Sequence, residues 1–339
     1  MVVNSPNMVL QSFKRTERLM GNTFEITVVG HDQLWADAKL EMAVEEIRRI
    51  ERLLTTFNEQ SQTNQINQKA GIAAVKVDPE VFSLIERSLR ISRITDGAFD
   101  ISYGSIDKRL WNFDREMKAL PNAELAKSMV GLINYKNIIL DAQACTVKLS
   151  KVGMRIGFGA IGKGYAAEMA KALLKREGVE GGIVNASGDL TTWGTQHNGK
   201  PWTIGIVNPA HRQMPFSYLN VNDMAVATSG NYEKYVIING VKYSHTINPK
   251  TGLPVRGIKS VSIIGPNAEI ADAMADVLAM LDAIDAATVT AALKSDQRSD
   301  GQSGSDPQRA LRPRFEAGDH AVSRSACQCT WSPMKVEMK

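Results

Sequence analysis

The sequence predicts an α+β fold, and three observations support this class. Segments that alternate apolar and polar residues, such as FEITVV at 24–29, are typical of half-buried strands. Other segments carry apolar residues at helical spacing, most clearly at 36–54. The two kinds of segment do not follow one another in strict β-α-β order, so we expect antiparallel neighbours in the sheets.

Four helices are expected, at 36–54, at 80–94, from Gly162 to Gly178, and from near Ala268 onward. The first has five apolar residues on one face, namely Leu40, Val44, Ile47, Ile50 and Leu54. The second follows Asp78-Pro79, a pair that favours a helix start. The third ends at a glycine, as many helices do.

Strands are expected before the first helix and between the helices. They lie at 24–29, in a hairpin of 138–140 and 146–149, in a strand–turn–strand over 182–190, and at 202–207, 235–240 and 260–265. By contrast, the segment 294–333 is rich in Ser, Gln, Arg, Asp and Gly and has few large apolar residues, so we expect it to be disordered or weakly attached. We therefore divide the chain into an N-terminal extension (1–17), a main domain (18–293) and an atypical C-terminal tail (294–339).

Composition excludes several function classes. The net charge is +4 over 339 residues, and basic and acidic residues are interleaved, so the sequence does not predict nucleic-acid binding. The three cysteines form neither a zinc pattern nor a disulfide framework. No apolar run is long enough to span a membrane, and the first residues contain neither a convincing export signal nor a cysteine that could receive a lipid.

The stretch GFGAIGKGY at 157–165 comes close to the phosphate loop of nucleotide triphosphatases. Gly164, however, stands where that loop needs a Ser or Thr to bind magnesium. We interpret the stretch as a glycine loop that opens a helix, with backbone N–H groups and Lys163 facing a phosphate. The alternative is a tight turn followed by a surface lysine.

Two further motifs contain residues that suit catalysis or metal binding. SHTINPKTG at 244–252 includes His245, a candidate general base, although a capping histidine in an ordinary loop is the alternative. Asp272 and Asp276 lie four residues apart on one face of the last helix, where they repel each other unless a cation neutralises them. Such a pair indicates a site for Mg²⁺, with a solvated helix face as the alternative.

The order of the motifs is more specific than any one of them. They are MGNTF (20–24), TDGAFD (95–100), GAIGKGY (159–165), NASGD (185–189), TSGNYEKY (228–235), SHTINPKTG (244–252) and ADA (271–273). Together they resemble the ApbE family, the FAD:protein FMN transferases. The resemblance covers about Arg18 to Ala275.

This resemblance implies a fold and an activity. It implies an ApbE-like, T-fold-like arrangement of mixed sheets with packed helices and a flavin cleft between lobes. Family members move FMN from FAD to a Thr, or sometimes Ser, hydroxyl of an acceptor flavoprotein, release AMP and use Mg²⁺. The implied partners are FAD as substrate and an acceptor subunit or domain with a target Thr. The main domain, 18–293, would be the transferase domain.

The resemblance also implies roles for individual residues. The flavin cleft would use Met20, Phe57, Ala98, Phe99 and Asp100. His245 and Thr246 would lie close to the dinucleotide.

The remaining implied roles concern the pyrophosphate and the metal. Lys163 would face the pyrophosphate, and the metal would take the Ala160 carbonyl and the Asp272 carboxylate, with Asp276 nearby. Mg²⁺ and Lys163 would stabilise the AMP leaving group. His245 is the expected base for the hydroxyl proton, and Asp100 is the competing candidate.

The C-terminal part departs from the family pattern. The family usually has Thr where this chain has Asp276, and the helix end and two closing strands that normally follow are not recognisable. We hypothesise a frameshifted or replaced ending after Ala275, which would leave an open strand edge. Resequencing the gene tests this hypothesis, since an alternative frame with no family-like ending would contradict it.

Other functions remain open at this point. The same site would serve a Mg²⁺-dependent FAD pyrophosphatase, or an impaired protein that binds FAD without turnover. A phosphate-loop nucleotide triphosphatase is a more distant alternative. By resemblance we expect the bacterial periplasm or the periplasmic face of the inner membrane, with membrane association only through a lipid anchor that this chain lacks. The cytoplasm is the alternative location.

Overall fold

A computed structural model describes residues 9–106, 119–207, 215–230, 235–244, 246–255, 260–280 and 335–338. It confirms the α+β class, because helices pack against antiparallel sheets rather than alternating with parallel strands. Its six helices in the described part are α1 (Gln33–Leu54), α2 (Gln62–Gln68), α3 (Pro79–Ile94), α4 (Ala123–Met129), α5 (Gly162–Arg176) and α6 (Ala268–Met280). Two short 3₁₀ helices cover Ile101–Ser105 and Tyr135–Asn137.

The strands form one large sheet and three small ones. They are β1 (Gln11–Leu19), β2 (Asn22–Gly30), β3 (Val75–Lys76), β4 (Ile138–Asp141), β5 (Thr146–Leu149), β6 (Gly182–Ala186), β7 (Asp189–Trp193), β8 (Trp202–Val207), β9 (Pro215–Val221), β10 (Ala225–Gly230), β11 (Tyr235–Ile238), β12 (Val241–Ser244), β13 (Ser260–Gly265) and β14 (Lys335–Met338). The large sheet has the order β1-β2-β6-β7-β10-β13-β14, and every neighbouring pair is antiparallel. The small sheets are β3-β5-β4, β8-β9 and β11-β12.

Helices α1, α5 and α6 cover one face of the large sheet and bury its main core. The five apolar residues expected on one face of α1 are all buried there, and Asp32 caps the helix by accepting a hydrogen bond from the Trp35 amide at 2.8 Å. The β8–β9 hairpin packs apolar side chains such as Trp202 and Ile204 against Val226 and Ile264 of the large sheet.

The two ends of the large sheet differ from the expectation. Strand β1 pairs with β2 along its whole length, so residues 11–17 belong to the sheet and not to a separate extension. The residues KRTER at 14–18 are all charged or polar, so this strand lacks the alternation of apolar and polar residues that marks most strands.

At the other end of the sheet, β14 pairs with β13, from Val261 opposite Met338 to Ile264 opposite Lys335. The edge of β13, expected to be open, is therefore covered by four residues of the C-terminal tail. The expected disordered or weakly attached segment, 294–333, lies outside the described residues.

Candidate active site

A cleft of about 1060 Å³ opens where the ends of α1, α5, β7 and β10 and the middle of α6 meet the 3₁₀ helix Ile101–Ser105. The structure brings together in its walls every described residue that the sequence analysis assigned to the site. These are Met20, Phe57, Ala98, Phe99, Asp100, Ala160, Lys163, Thr246, Asp272 and Asp276. Residues assigned from five of the seven motifs, together with Phe57 and Asp276, therefore share one cavity.

One end of the cleft holds a compact group of charges, Lys163, Asp189, Asp272 and Asp276, which we call the acid–lysine cluster. The Lys163 Nζ lies 2.6 Å from Asp189 Oδ2 and 3.3 Å from Asp272 Oδ1. These side chains come from α5, β7 and α6, so only the packed fold brings them together. Asp189 is the member that the sequence analysis did not assign, although the NASGD motif contains it.

Gly164 stands where a phosphate loop would have the Ser or Thr that binds magnesium. The close contact of α5 with α6 explains why this position needs a glycine. A Cβ on Gly164 would lie 2.2 Å from the Ala268 carbonyl oxygen and 2.9 Å from Asp272 Cβ. The N-cap residue of α5, Ile161, has no polar side chain to cap the helix, and the Gly164 amide donates to Asp272 Oδ2 at 3.0 Å instead. A carboxylate from α6 therefore stabilises the positive end of the α5 dipole.

The acid–lysine cluster carries more negative than positive charge. Burial and the nearby Asp272 carboxylate raise the pKa of Asp189 to about 7 and that of Asp276 to about 6. Burial alone would lower the pKa of Lys163, but Asp272, Asp189 and Asp276 outweigh it and raise that pKa well above its usual range. Three carboxylates share one ammonium, so the site favours a proton or a cation.

The donor atoms of this end suit a hard cation. Carboxylate oxygens of Asp272 and Asp276 and the nearby Ala160 carbonyl are the oxygen ligands that Mg²⁺ prefers. Within the described part of the chain, no three His, Cys, Asp or Glu side chains form a ready-made metal site. A bound cation would therefore need the Ala160 carbonyl, or oxygens of a ligand, to complete its shell.

Asp100 lies in the cleft wall in a different setting. Its Oδ1 accepts hydrogen bonds from the Ser102 amide (2.8 Å) and hydroxyl (2.6 Å), and its Oδ2 accepts one from the Tyr135 amide (2.7 Å). Burial raises its pKa, and these hydrogen bonds partly oppose that rise. The side chain caps the 3₁₀ helix Ile101–Ser105 and ties it to the second 3₁₀ helix.

The SHTINPKTG loop is held against this same wall. The Tyr103 hydroxyl accepts a hydrogen bond from the Ile247 amide at 3.1 Å, and Lys250 pairs with Asp96 at 2.8 Å. Gly252, at a φ of +71°, approaches α4 so closely that a Cβ there would lie 2.0 Å from the Ala126 carbonyl oxygen. His245 itself lies outside the described residues, so its role as a base stays a prediction.

The cleft wall away from the acid–lysine cluster contains the β1–β2 turn and an exposed aromatic ring. Met20 and Gly21 form the two-residue turn between β1 and β2, both with positive φ, at 51° and 72°. Phe57 is 97% exposed, whereas Phe99 is only 2% exposed and belongs to the core below the cleft. An exposed aromatic ring beside a wide opening is suited to contact a flat ring system.

Comparison with known proteins decides the family. The family model described as "ApbE family" matches residues 20–297, more than three quarters of the chain. The chain belongs to the ApbE family. The match continues beyond Ala275, where the recognisable motifs of the family end.

Individual relatives agree with this assignment. An FAD:protein FMN transferase of Klebsiella pneumoniae is 33% identical over 248 residues, which are 73% of this chain and 75% of that protein. One of Treponema pallidum is 29% identical over 285 residues, 78% of each chain. The crystal structure of the ApbE protein of Thermotoga maritima superposes with a TM-score of 0.76 at 30% identity, covering 84% of this chain and 92% of that one.

A more distant structure supports the fold alone. The apo flavinyl transferase ApbE of Pseudomonas stutzeri has a TM-score of 0.72 at 24% identity, with 83% of this chain and 87% of that one covered. Within the described residues of this ApbE protein, no helix has both the length and the apolar composition needed to cross a bilayer.

Proposed function

We propose that this ApbE protein is an FAD:protein FMN transferase, which moves FMN from FAD to a Thr or Ser hydroxyl of an acceptor flavoprotein and releases AMP. One observation carries the proposal. A single cleft joins the exposed ring of Phe57 to the acid–lysine cluster. Such a cleft suits a ligand that has a flat ring system at one end and a pyrophosphate at the other.

The residues of the cluster have distinct tasks in this reaction. The acceptor oxygen attacks the phosphorus of the FMN half, and the bond from that phosphorus to the AMP oxygen breaks. Lys163 places a positive charge beside the departing phosphate and so stabilises AMP. Gly164 leaves room for α6, which keeps Asp272 at the start of α5, where the glycine loop ends.

Mg²⁺ is the cation that we propose for this end. Asp272, Asp276 and the Ala160 carbonyl would hold it, and it would supply additional charge neutralisation at the pyrophosphate. Asp189 supports the site by holding the Lys163 ammonium at 2.6 Å. The excess of carboxylates over cations in the cluster supports this choice.

The proton of the acceptor hydroxyl must go to a base, and we assign that role to His245. The competing candidate, Asp100, accepts three hydrogen bonds from Ser102 and Tyr135. Carboxylate oxygens that are committed to fixed donors are poor acceptors for a moving proton. The loop that contains His245 is anchored at Ile247 and Lys250, on the Asp100 side of the cleft.

Location is proposed on resemblance alone. We place the mature protein in the bacterial periplasm or on the periplasmic face of the inner membrane, where the family's acceptors are expected. Fractionation of the native organism with an antibody to this protein tests the location. Recovery in the cytoplasmic fraction would contradict it.

The activity is tested by intact-mass analysis of an acceptor domain with a target Thr, incubated with this protein, FAD and Mg²⁺. We expect one added FMN phosphoester per acceptor, and its loss with Asp272→Ala or His245→Ala. AMP and free FMN without an added mass would identify the pyrophosphatase instead. FAD binding without any product would identify a protein that has kept the site but lost the activity.

A further inference from the structure

A second groove, of about 410 Å³, adjoins the flavin cleft beside Phe57. We call it the arginine groove and define it by Arg18, Arg48, Arg52, Glu51, Thr55 and Phe57. Resting on the proposed function, we propose that the arginine groove docks an acidic polypeptide segment of the acceptor protein next to its target hydroxyl. Nothing in the FMN transfer chemistry itself requires this groove.

The charge of the groove favours an anionic partner. Three arginines line it against a single glutamate, Glu51. Arg48 is already held by Glu45 at 2.7 Å. Within the described part of the chain, however, the exposed guanidinium groups of Arg18 and Arg52 take part in no hydrogen bond or ion pair. These two cations are therefore available to a partner from solution.

The groove is continuous with the site of chemistry. Glu51, Thr55 and Phe57 line both the groove and the cleft. The end of α1 also lies against the glycine loop, since a Cβ on Gly162 would be 3.9 Å from Leu54 Cδ1. A segment bound in the groove is thus led toward the loop that carries Lys163.

The volumes of the flavin cleft and the arginine groove suit different ligands. The cleft, at about 1060 Å³, matches the upper size of pockets that enclose one small-molecule ligand. With the dinucleotide in place, the acceptor needs another surface from which its hydroxyl can enter. The groove is too small for a second dinucleotide, but it accommodates a few side chains of a peptide, with Phe57 as an exposed apolar contact.

The test is steady-state FMN transfer to a recombinant flavin-reductase acceptor domain whose target Thr is flanked by acidic residues. The variant is Arg18→Glu with Arg52→Glu, and the matched control is Arg90→Glu with Arg93→Glu. Arg90 and Arg93 are exposed on α3 and line neither cavity, and the control changes the net charge by the same amount.

We expect the groove variant to raise the KM for the acceptor by about tenfold, with the KM for FAD unchanged and the control close to wild type. An acceptor whose flanking acids are replaced by amides should show little difference between wild type and variant. An unchanged acceptor KM would overturn the proposal. A raised KM for FAD would also overturn it, because the arginines would then serve the dinucleotide.

If the wild type transfers no FMN, the proposed function fails, and docking is then measured separately. Calorimetry with the same acceptor domain and FAD-loaded protein would support the groove if the variant binds about tenfold more weakly than the control. Equal affinities would reject it.

Discussion

Asp100 and Asp272 are both buried in the wall of one cleft, but their surroundings differ. Asp100 accepts three hydrogen bonds from neutral donors of the neighbouring chain segments, and no cation among the described residues pairs with it. Asp272 accepts one backbone hydrogen bond from another helix, pairs with Lys163 and lies close to two further carboxylates. Burial alone therefore does not identify the acids that act on the ligand. Those acids are identified instead by the uncompensated negative charge around Asp272, because a bound cation would neutralise that charge and stabilise the folded protein.

The largest effect is expected at Asp272. Asp272→Asn keeps the shape of the side chain but removes a metal-binding oxygen charge, so FMN transfer should fall by about 10²- to 10³-fold. The metal-free protein should unfold at the same temperature as wild type or higher, because one of three repelling carboxylates is gone. Initial rates and thermal unfolding measure the two effects. Activity within tenfold of wild type would remove Asp272 from the metal site.

The next effect concerns Lys163. Lys163→Met leaves three carboxylates without an ammonium, and at pH 8 it should destabilise the metal-free protein by about 3 kcal/mol. FMN transfer should fall about 10²-fold, and Mg²⁺ should restore part of the stability. Urea unfolding with and without Mg²⁺ provides the measurement. If stability is unchanged, Lys163 does not balance the charge of the cluster.

Asp100 should behave in the opposite way to Asp272. Asp100→Asn places an NH₂ group against donors of Ser102 or Tyr135, which should destabilise the fold by about 1–3 kcal/mol. At a temperature where the variant is folded, its transfer rate should stay within a few-fold of wild type. Urea unfolding and initial rates, measured on the same sample, separate the effect on stability from the effect on the transfer rate. A stable variant with a 10³-fold slower rate would instead make Asp100 the catalytic base.

The smallest effect is a dependence on pH. The raised pKa values of Asp189 and Asp276, about 7 and about 6, mean that the folded metal-free protein binds protons more tightly than the unfolded chain. This stabilisation is complete only below the ordinary Asp pKa of about 4, and it is lost as the pH rises through 6 and 7. Mg²⁺ should therefore raise the unfolding temperature more at pH 8 than at pH 5, by roughly 3 °C. An equal shift at both pH values would show that the carboxylates do not titrate with the metal site.

The sequence was informative wherever the signal is local. The helical spacing from Leu40 to Leu54 predicted α1, and Asp78-Pro79 correctly marked the start of α3. Strand β1 was not predicted, because its charged residues leave no alternation of apolar and polar residues. Ser-Gly-Asn at 229–231 is a typical turn sequence, but Ser229 and Gly230 end strand β10, since pairing with β13 overrides the local turn preference.

In the candidate site, too, the residues in local motifs could be predicted, but the contacts between distant segments could not. Resemblance identified the residues of the cleft, because the family motifs contain them. It did not reveal that Lys163 binds Asp189 more closely than Asp272, since that contact depends on the packing of α5 against β7 and α6. It also did not reveal that Asp100 accepts three hydrogen bonds, because Tyr135, one of its donors, is 35 residues away in the chain.

The most direct test of the account is a calorimetric titration of Mg²⁺ into FAD-loaded wild type, Asp272→Asn and Asp100→Asn. We expect one site in the wild type and in Asp100→Asn, and no measurable binding in Asp272→Asn. Loss of binding in Asp100→Asn with retention in Asp272→Asn would contradict the account, because the metal would then lie at the opposite wall of the cleft.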